Sequence, residues 1–385
     1  MLNFTFHNST KIIFGKGQIK ALSAEIPKDA KILITYGGGS IKKNGIYQQV
    51  IAALTEHEIF EFSGIEPNPK YDTLIKALDI IREHNIDYLL AVGGGSVIDG
   101  TKFIAAAALY QGNDPWDILA KRQAITEALP IGAVLTLPAT GSESNGGSVV
   151  TRDGNKLAFG NPLVRPLFAV LDPAASLSLS DRQVSNGVVD AFVHTMEQYL
   201  TYPVNGNVQD RFAEGLLLTL IEEGPKALLP ELKEDLTVRA NIMWSASLAL
   251  NGLIGAGVPQ DWATHMIGHE LTGGYGIDHA RTLSIVLLAV MKFCREDKRD
   301  KLLQYAERVW QLKDGDEENL IDKAIQLTED FFLKMNMPIR LSDVQLDESD
   351  INKIIPQLEK HGMTKLGEHR NITPEASRKI LEIAL

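Results

Sequence analysis

Tyr88-Leu89-Leu90-Ala91-Val92-Gly93-Gly94-Gly95-Ser96-Val97-Ile98-Asp99 is the stretch on which the fold turns. Five apolar residues without alternation suit a strand covered on both faces, as in a parallel sheet. Three glycines then place bare backbone at the carboxyl end of that strand, and a helical pattern continues over 97–109. Free N–H groups at a helix start, aided by the helix dipole, favour a phosphate, so Gly93, Gly94, Gly95 and Ser96 read as a pyrophosphate cradle. The same residues also read as a tight turn with a capping box, Ser96 as N-cap and Asp99 at the third helical position, which needs no ligand.

The unit recurs on either side. Lys31-Ile32-Leu33-Ile34-Thr35-Tyr36 is a strand closed by Gly37-Gly38-Gly39-Ser40 and followed by helical spacing at Ile46, Val50, Ile51 and Leu54. A third strand over 131–137 runs into Pro138-Ala139-Thr140-Gly141-Ser142. Strands alternating with helices to about residue 175 predict an α/β, doubly wound parallel sheet. Beyond Asp172-Pro173, helical periodicity over 186–202, 210–229, 235–251, 262–271, 280–293, 297–312, 317–335 and 347–361 predicts an all-helical remainder. The expected division is residues 1–178 as a dinucleotide-binding domain and 179–385 as a helical domain, hinged near 176–185.

Composition narrows the function. In 385 residues, 38 Lys and Arg against 49 Asp and Glu give a net charge of −11, which argues against nucleic acid or an anionic membrane surface as partner. Apolar runs fall far short of the ~18–20 residues that span a bilayer. One cysteine, Cys294, permits no intrachain disulfide and no thiolate zinc site, so a metal here is held by nitrogen and oxygen, in a reducing compartment. The first fifteen residues lack the pattern of an export signal, and a cytoplasmic location is expected.

For the nucleotide, the first strand ends without the acidic residue that receives a ribose 2′-hydroxyl in NAD sites. Gly37, Gly38 and Ser40, with Lys42 and Lys43 nearby, suit a phosphate instead and favour NADP. Asn68, in Glu66-Pro67-Asn68-Pro69, reads as part of a stiff Asx turn. Thr136, Thr140 and Ser142 offer hydroxyls of the sort that satisfy loop backbone.

Four of the nine histidines fall in two short stretches. Asp190 and His194 are one helical turn apart, as are His265 and His269, and the Gly273-Gly274-Tyr275-Gly276 bend lets His279 return to the same region. Met266 stands where a zinc-protease motif requires Glu. Asp190 lies in an Ala-, Val- and Phe-rich helix face, where burial of a carboxylate calls for a cation. Three imidazoles and one carboxylate suit Fe²⁺ or Zn²⁺.

Taken together, Gly37 to Ser40, Pro67-Asn68-Pro69, Gly93 to Asp99, Ala139-Thr140-Gly141-Ser142-Glu143, Asp190 to His194 and the His265, His269, His279 segment resemble the iron-dependent alcohol dehydrogenase family. The similarity is greatest to its NADPH-dependent butanol dehydrogenase and broad-range aldehyde reductase branch. The resemblance implies Asp190, His194, His265 and His279 as metal ligands, and a catalytic His269 beside nicotinamide and substrate. It further implies Gly94, Gly95 and Ser96 at the pyrophosphate, Asn68 and Lys156 at the ribose region, and Gly38 with Ser40 at the 2′-phosphate. Thr136 and Thr140 would lie near the nucleotide, and Gly37, Gly93 and Asp99 belong to the same turns. Where many members carry paired threonines before the glycine turn, this chain has Thr136-Leu137-Pro138-Ala139.

The implied chemistry is metal polarisation of an aldehyde carbonyl, hydride transfer from the nicotinamide, and proton relay through His269. Glycerol dehydrogenases and dehydroquinate-synthase-like lyases share the two-domain plan, but the neutral stretches 250–258 and 271–275 favour small uncharged aldehydes and primary alcohols of the butanal and butanol kind. No tyrosine is followed four residues later by lysine, so a tyrosinate base of that type is absent. An edge strand built from 3–6 and 11–14 is expected to pair across a homodimer.

Overall fold

The computed structural model describes residues 1–385 and contains two compact units. One comprises His7–Leu179 and Glu234–Ser247, the other Met1–Phe6, Ser180–Lys233 and Leu248–Leu385.

The first unit is built on a six-stranded parallel sheet of β1 (Lys11–Phe14), β2 (Lys31–Thr35), β3 (Glu58–Phe62), β4 (Tyr88–Gly94), β5 (Ile131–Leu137) and, after a separate hairpin, β8 (Phe168–Leu171). The spatial order is β1-β8-β5-β4-β2-β3. Alternate residues of the central strands enter two different cores. Leu89 and Ala91 of β4 join Leu33, Ile131 and Ala133 on one face, while Leu90 and Val92 join Ile32, Ile34 and Val134 on the other. Both faces are dry, which is why these strands read as unbroken apolar runs.

The hairpin, β6 (Gly147–Arg152) and β7 (Asn155–Gly160), is antiparallel. Its turn is Asp153-Gly154 with both residues at positive φ, 51° and 75°, a common hairpin signal. Between β4 and β5 runs α1 (Gly95–Leu109), which starts inside the glycine triplet with Gly94 as N-cap. The expected capping box does not form, because Ser96 already lies within the helix and no side chain caps its start. Asp99 turns instead to Ser142 Oγ and to the Val149 N–H at 3.0 Å, tying α1 to the following loop and the hairpin. The glycines are needed for close packing. A Cβ on Gly93 would stand 2.6 Å from Val97, and one on Gly95 would stand 2.4 Å from Thr140 Oγ1.

The second unit is helical. It holds α2 (Asp181–Tyr199), α4 (Ala263–Tyr275) and α5 (His279–Phe293), with further helices at Asn207–Lys226, Arg299–Arg308, Glu317–Lys334, Glu348–Lys360 and Pro374–Ile383. The last of these lies outside the segments expected from periodicity; Thr373 caps it and Pro374 occupies its first position. Ile267, Leu271, Ile285, Val286, Ile354 and Leu381 share one core.

Two segments group differently from the sequence expectation. Helix α3 (Leu236–Ala249) falls almost wholly in the sheet unit, where Met243 joins the core and the Trp244 ring meets Phe14 at 5.9 Å. Residues Met1–Phe6 belong with the helical unit, Leu2 N donating to Gly257 O at 2.9 Å. Only Lys11–Phe14 becomes an edge strand, since Asn8 Oδ1 accepts from Thr10 N and turns the chain just before it. No helix is long and apolar enough to cross a membrane.

Candidate metal centre and nucleotide turns

Helix α2 opens with a capping box between Ser180 and Gln183, which fixes its start and hence its rotational phase. Arg182, Asn186, Asp190 and His194 then recur every four residues along one face. Arg182 Nε and Asn186 Nδ2 donate to Asp278 Oδ2 at 2.6 and 2.8 Å, and Asp278 immediately precedes His279, the first residue of α5. The same face of α2 that carries Asp190 therefore also sets where His279 begins its helix.

Asp190, His265 and His279 each present a ligand atom within 4.8 Å of the others. Asp190 Oδ1 lies 3.9 Å from Nε2 of His265 and 3.9 Å from Nε2 of His279. Donors about 2.0–2.2 Å from one ion stand at most ~4.4 Å apart, so these gaps accept a single dication. His194 sits at the rim of the group, with Nδ1 3.8 Å from Asp190 Oδ1 and its ring stacked on His265 at 4.5 Å. It is not in the mutual set of three. His269, one turn beyond His265, has its ring 5.1 Å from that of His279 and 6.4 Å from that of His265.

The side chain that sequence reasoning missed is Glu197, seven residues after Asp190 on α2. Its Oε2 bonds His265 Nδ1, and its Oε1 accepts from Thr264 N at 2.7 Å. One buried carboxylate thus caps the start of α4 and fixes a histidine ring. With Nδ1–H directed at Glu197, the proton a dication displaces is the one on Nε2, a buried atom that faces Asp190 and has no hydrogen-bond partner, and the lone pair of the neutral His265 ring then falls there. A buried ring nitrogen left so is costly, and a cation supplies what it lacks. Burial disfavours the protonated ring, but Glu197 and then Asp190 outweigh it and bring the His265 pKa up to about 9. The surroundings call for positive charge at this point, and the donor set fits Fe²⁺ or Zn²⁺.

In the sheet unit, the Pro67-Asn68-Pro69 turn meets the glycine turn, Asn68 N donating to Ser96 Oγ at 3.4 Å with Asn68 at φ 55°. Gly38 and Ser40 are exposed, and a Cβ on Gly38 would touch nothing within 4 Å. Gly37 instead packs near Ile65 O. Thr140 Oγ1 accepts from Ser142 N at 3.2 Å, Thr136 is half-buried on β5, and Lys156 lies on β7 opposite Thr151.

Lys42 departs from the phosphate-binding reading. Its ammonium is 2.8 Å from Glu61 Oε2, a carboxylate that also accepts from the Tyr36 and Tyr47 hydroxyls. Burial pushes the Glu61 pKa up, but these donors, Lys42 foremost, bring it down to about 2. Lys102 was also missed: fully buried on α1, it donates to Ser142 Oγ, Asn145 Oδ1 and Gly147 O at 2.8, 3.1 and 2.7 Å. Burial lowers its pKa to about 8 against the opposing pull of Asp99 and Glu143. A lysine three residues after Asp99 in an apolar helix was the available signal.

Residues 9–173 match the family model for iron-containing alcohol dehydrogenase, and residues 184–385 match that for the C-terminal part of the Fe-containing alcohol dehydrogenase family. The chain belongs to the iron-containing alcohol dehydrogenase family. Among its relatives in that family, the NADPH-dependent aldehyde reductase YqhD of Escherichia coli is 58% identical over 388 residues, covering 100% of both chains. A probable NADH-dependent butanol dehydrogenase of Bacillus subtilis is 40% identical, also over 100% of each. The crystal structure of the E. coli protein superposes with a TM-score of 0.98 at 57% identity, covering 100% of this chain and 99% of that one.

Proposed function

We propose that this iron-containing alcohol dehydrogenase interconverts small uncharged aldehydes and primary alcohols with NADP(H) in the cytoplasm, as a homodimer. The observation that carries the reading is the convergence of Asp190, His265 and His279, with Nε2 of His265 freed for a cation by Glu197. The 58% identity to an NADPH-dependent aldehyde reductase supports the substrate class and cofactor. The single cysteine supports a reducing compartment, and the outer edge of β1 supports pairing with a second copy.

Asp190, His194, His265 and His279 are the proposed metal ligands, His194 joining the three that already converge. A dication bound there supplies Lewis-acid polarisation of a carbonyl, and a reduced nicotinamide supplies hydride. Glu197 keeps the His265 proton on Nδ1. His269, a turn away and unneeded by the convergent set, is proposed to deliver the proton from its imidazole, directly or through water. Gly93 to Ser96 would hold the pyrophosphate through α1, Asn68 and Lys156 the ribose region, and the exposed Gly38 and Ser40 the 2′-phosphate. Asp99 is proposed to support that site from behind, its carboxylate being engaged by Ser142 and Val149.

The test is oxidation of NADPH with butanal, followed by nicotinamide absorbance after reconstitution with Fe²⁺ or Zn²⁺ and again after chelation. Metal-dependent turnover with kcat/KM higher for NADPH than for NADH is expected. Cofactor binding without turnover at any metal loading would defeat the assignment. Sedimentation showing a monomer at micromolar concentration would defeat the dimer.

A further inference from the structure

Lys298 lies in the turn between α5 and the helix Arg299–Arg308, with its side chain only 3% exposed. Its ammonium donates to Asp261 Oδ2 at 2.7 Å, to Glu368 Oε1 and Oε2 at 2.7 and 2.9 Å, and to Leu200 O at 2.7 Å. A buried ammonium is costly unless its protons are all placed, and here two carboxylates and a carbonyl receive them. The acceptors come from places that matter to the metal centre. Leu200 is the C-cap of α2, and Asp261 opens the turn into α4. Glu368 lies in the small loop closed by the Leu366 and Ile372 bridge.

From Asp261 the bonding continues inward. Its Oδ1 accepts from Ala263 N at 2.9 Å, and its own N–H donates to Glu197 O at 2.9 Å. Trp262 between them takes a left-handed conformation at φ 64°, a strained position for a large side chain that its neighbours must hold. Glu197 then bonds His265. The links Lys298 to Asp261, Asp261 to Glu197 and Glu197 to His265 therefore follow one another, the middle one being made backbone to backbone.

We infer that the Lys298–Asp261 pair is a positioning device that sets the direction of His265 toward the metal, while Glu368 serves only to neutralise and hold Lys298. This rests on the metal reading proposed above. It makes a matched pair of variants informative. Asp261→Asn and Glu368→Gln each remove one negative charge from the same buried triad, so a merely structural role would move both alike. Asparagine keeps an oxygen for Ala263 N but turns an amide N–H₂ against the ammonium, which pushes the start of α4 away. Glutamine at 368 leaves the Lys298–Asp261 pair intact.

The experiment titrates Co²⁺ into the full-length protein, reading affinity by chelator competition and geometry by the visible ligand-field bands. Asp261→Asn is expected to weaken Co²⁺ binding by roughly 10–100-fold, the usual effect of losing support behind a ligand, and to shift the bands. Glu368→Gln is expected to match the parent in both. Equal changes in the two variants, or none in either, would overturn the inference. Should Asp261→Asn not fold, the double variant Lys298→Met with Glu368→Met, which removes one charge of each sign, carries the same expectation for Asp261, and a parent-like spectrum refutes it. Failure of the parent to bind one equivalent of Co²⁺ would instead refute the metal reading itself.

Discussion

Replacing Glu197 by glutamine alters one atom and one charge, yet it reverses the hydrogen-bond logic of His265. The amide oxygen can still accept from Thr264 N, now 2.7 Å from Glu197 Oε1, so the start of α4 keeps its cap. The amide N–H₂ then faces His265 Nδ1, and the ring can accept that bond only by moving its proton to Nε2. In the neutral ring Nε2 then keeps the proton where the parent offers a lone pair toward Asp190, and a metal can bind there only by breaking the bond from the amide to Nδ1. Loss of such support behind a ligand costs roughly 10–100-fold in affinity, or about 1.4–2.7 kcal/mol. Competition with a chromophoric chelator for Zn²⁺, with the far-ultraviolet dichroism as a control for folding, measures it. A dissociation constant within about twofold of the parent, inside 0.5 kcal/mol, would refute the tautomer argument.

Three further outcomes are expected. His265→Ala should lose both metal and turnover, while His269→Ala should retain one equivalent of metal by elemental analysis and lose roughly 10²–10⁴-fold in kcat, the range for removing a proton-transfer group. Gly95→Ala should raise the KM for NADPH and lower the melting temperature, because the new methyl would stand 2.4 Å from Thr140 Oγ1 and overpacking costs about 1–3 kcal/mol; an unchanged KM would count against the glycine turn as the cofactor cradle. Burial pushes the Glu143 carboxyl pKa up, against the hydrogen bond from Ser247 and the charge of Lys102. The folded state therefore binds that proton more tightly than the unfolded one. The resulting stability is complete below the ordinary glutamate value of about 4.3 and is lost as pH rises through the raised folded value. Glu143→Gln, which cannot ionise, should gain in melting temperature relative to the parent as pH increases, and parallel melting curves across pH would refute this.

The parts of the molecule legible in the sequence are those governed by short-range periodicity. Strands 31–35, 88–94 and 131–137 declare themselves because burial on both faces forbids alternation. The pairs Asp190 with His194 and His265 with His269 declare a shared face because a helix turns once in 3.6 residues. Sequence spacing fixes which side chains share a face and says nothing of what that face meets. Only the packing of α2, α4 and α5 makes His265 and His279, rather than the nearer His194, complete the mutual set with Asp190. Only it delivers Glu197 to His265 across 68 positions of chain. Lys298 looks in sequence like an ordinary lysine, since nothing local reveals that two carboxylates and a carbonyl from distant segments receive its protons, and the apolar helix around Lys102 signals its burial without naming the Ser142, Asn145 and Gly147 acceptors. Helix α3 is helical by its own pattern, but its place beside the sheet is decided by Met243 and Trp244 finding apolar partners there. Local pattern sets the element and its buried side; the contacts between elements, which carry the chemistry, exist only once the long loops have closed.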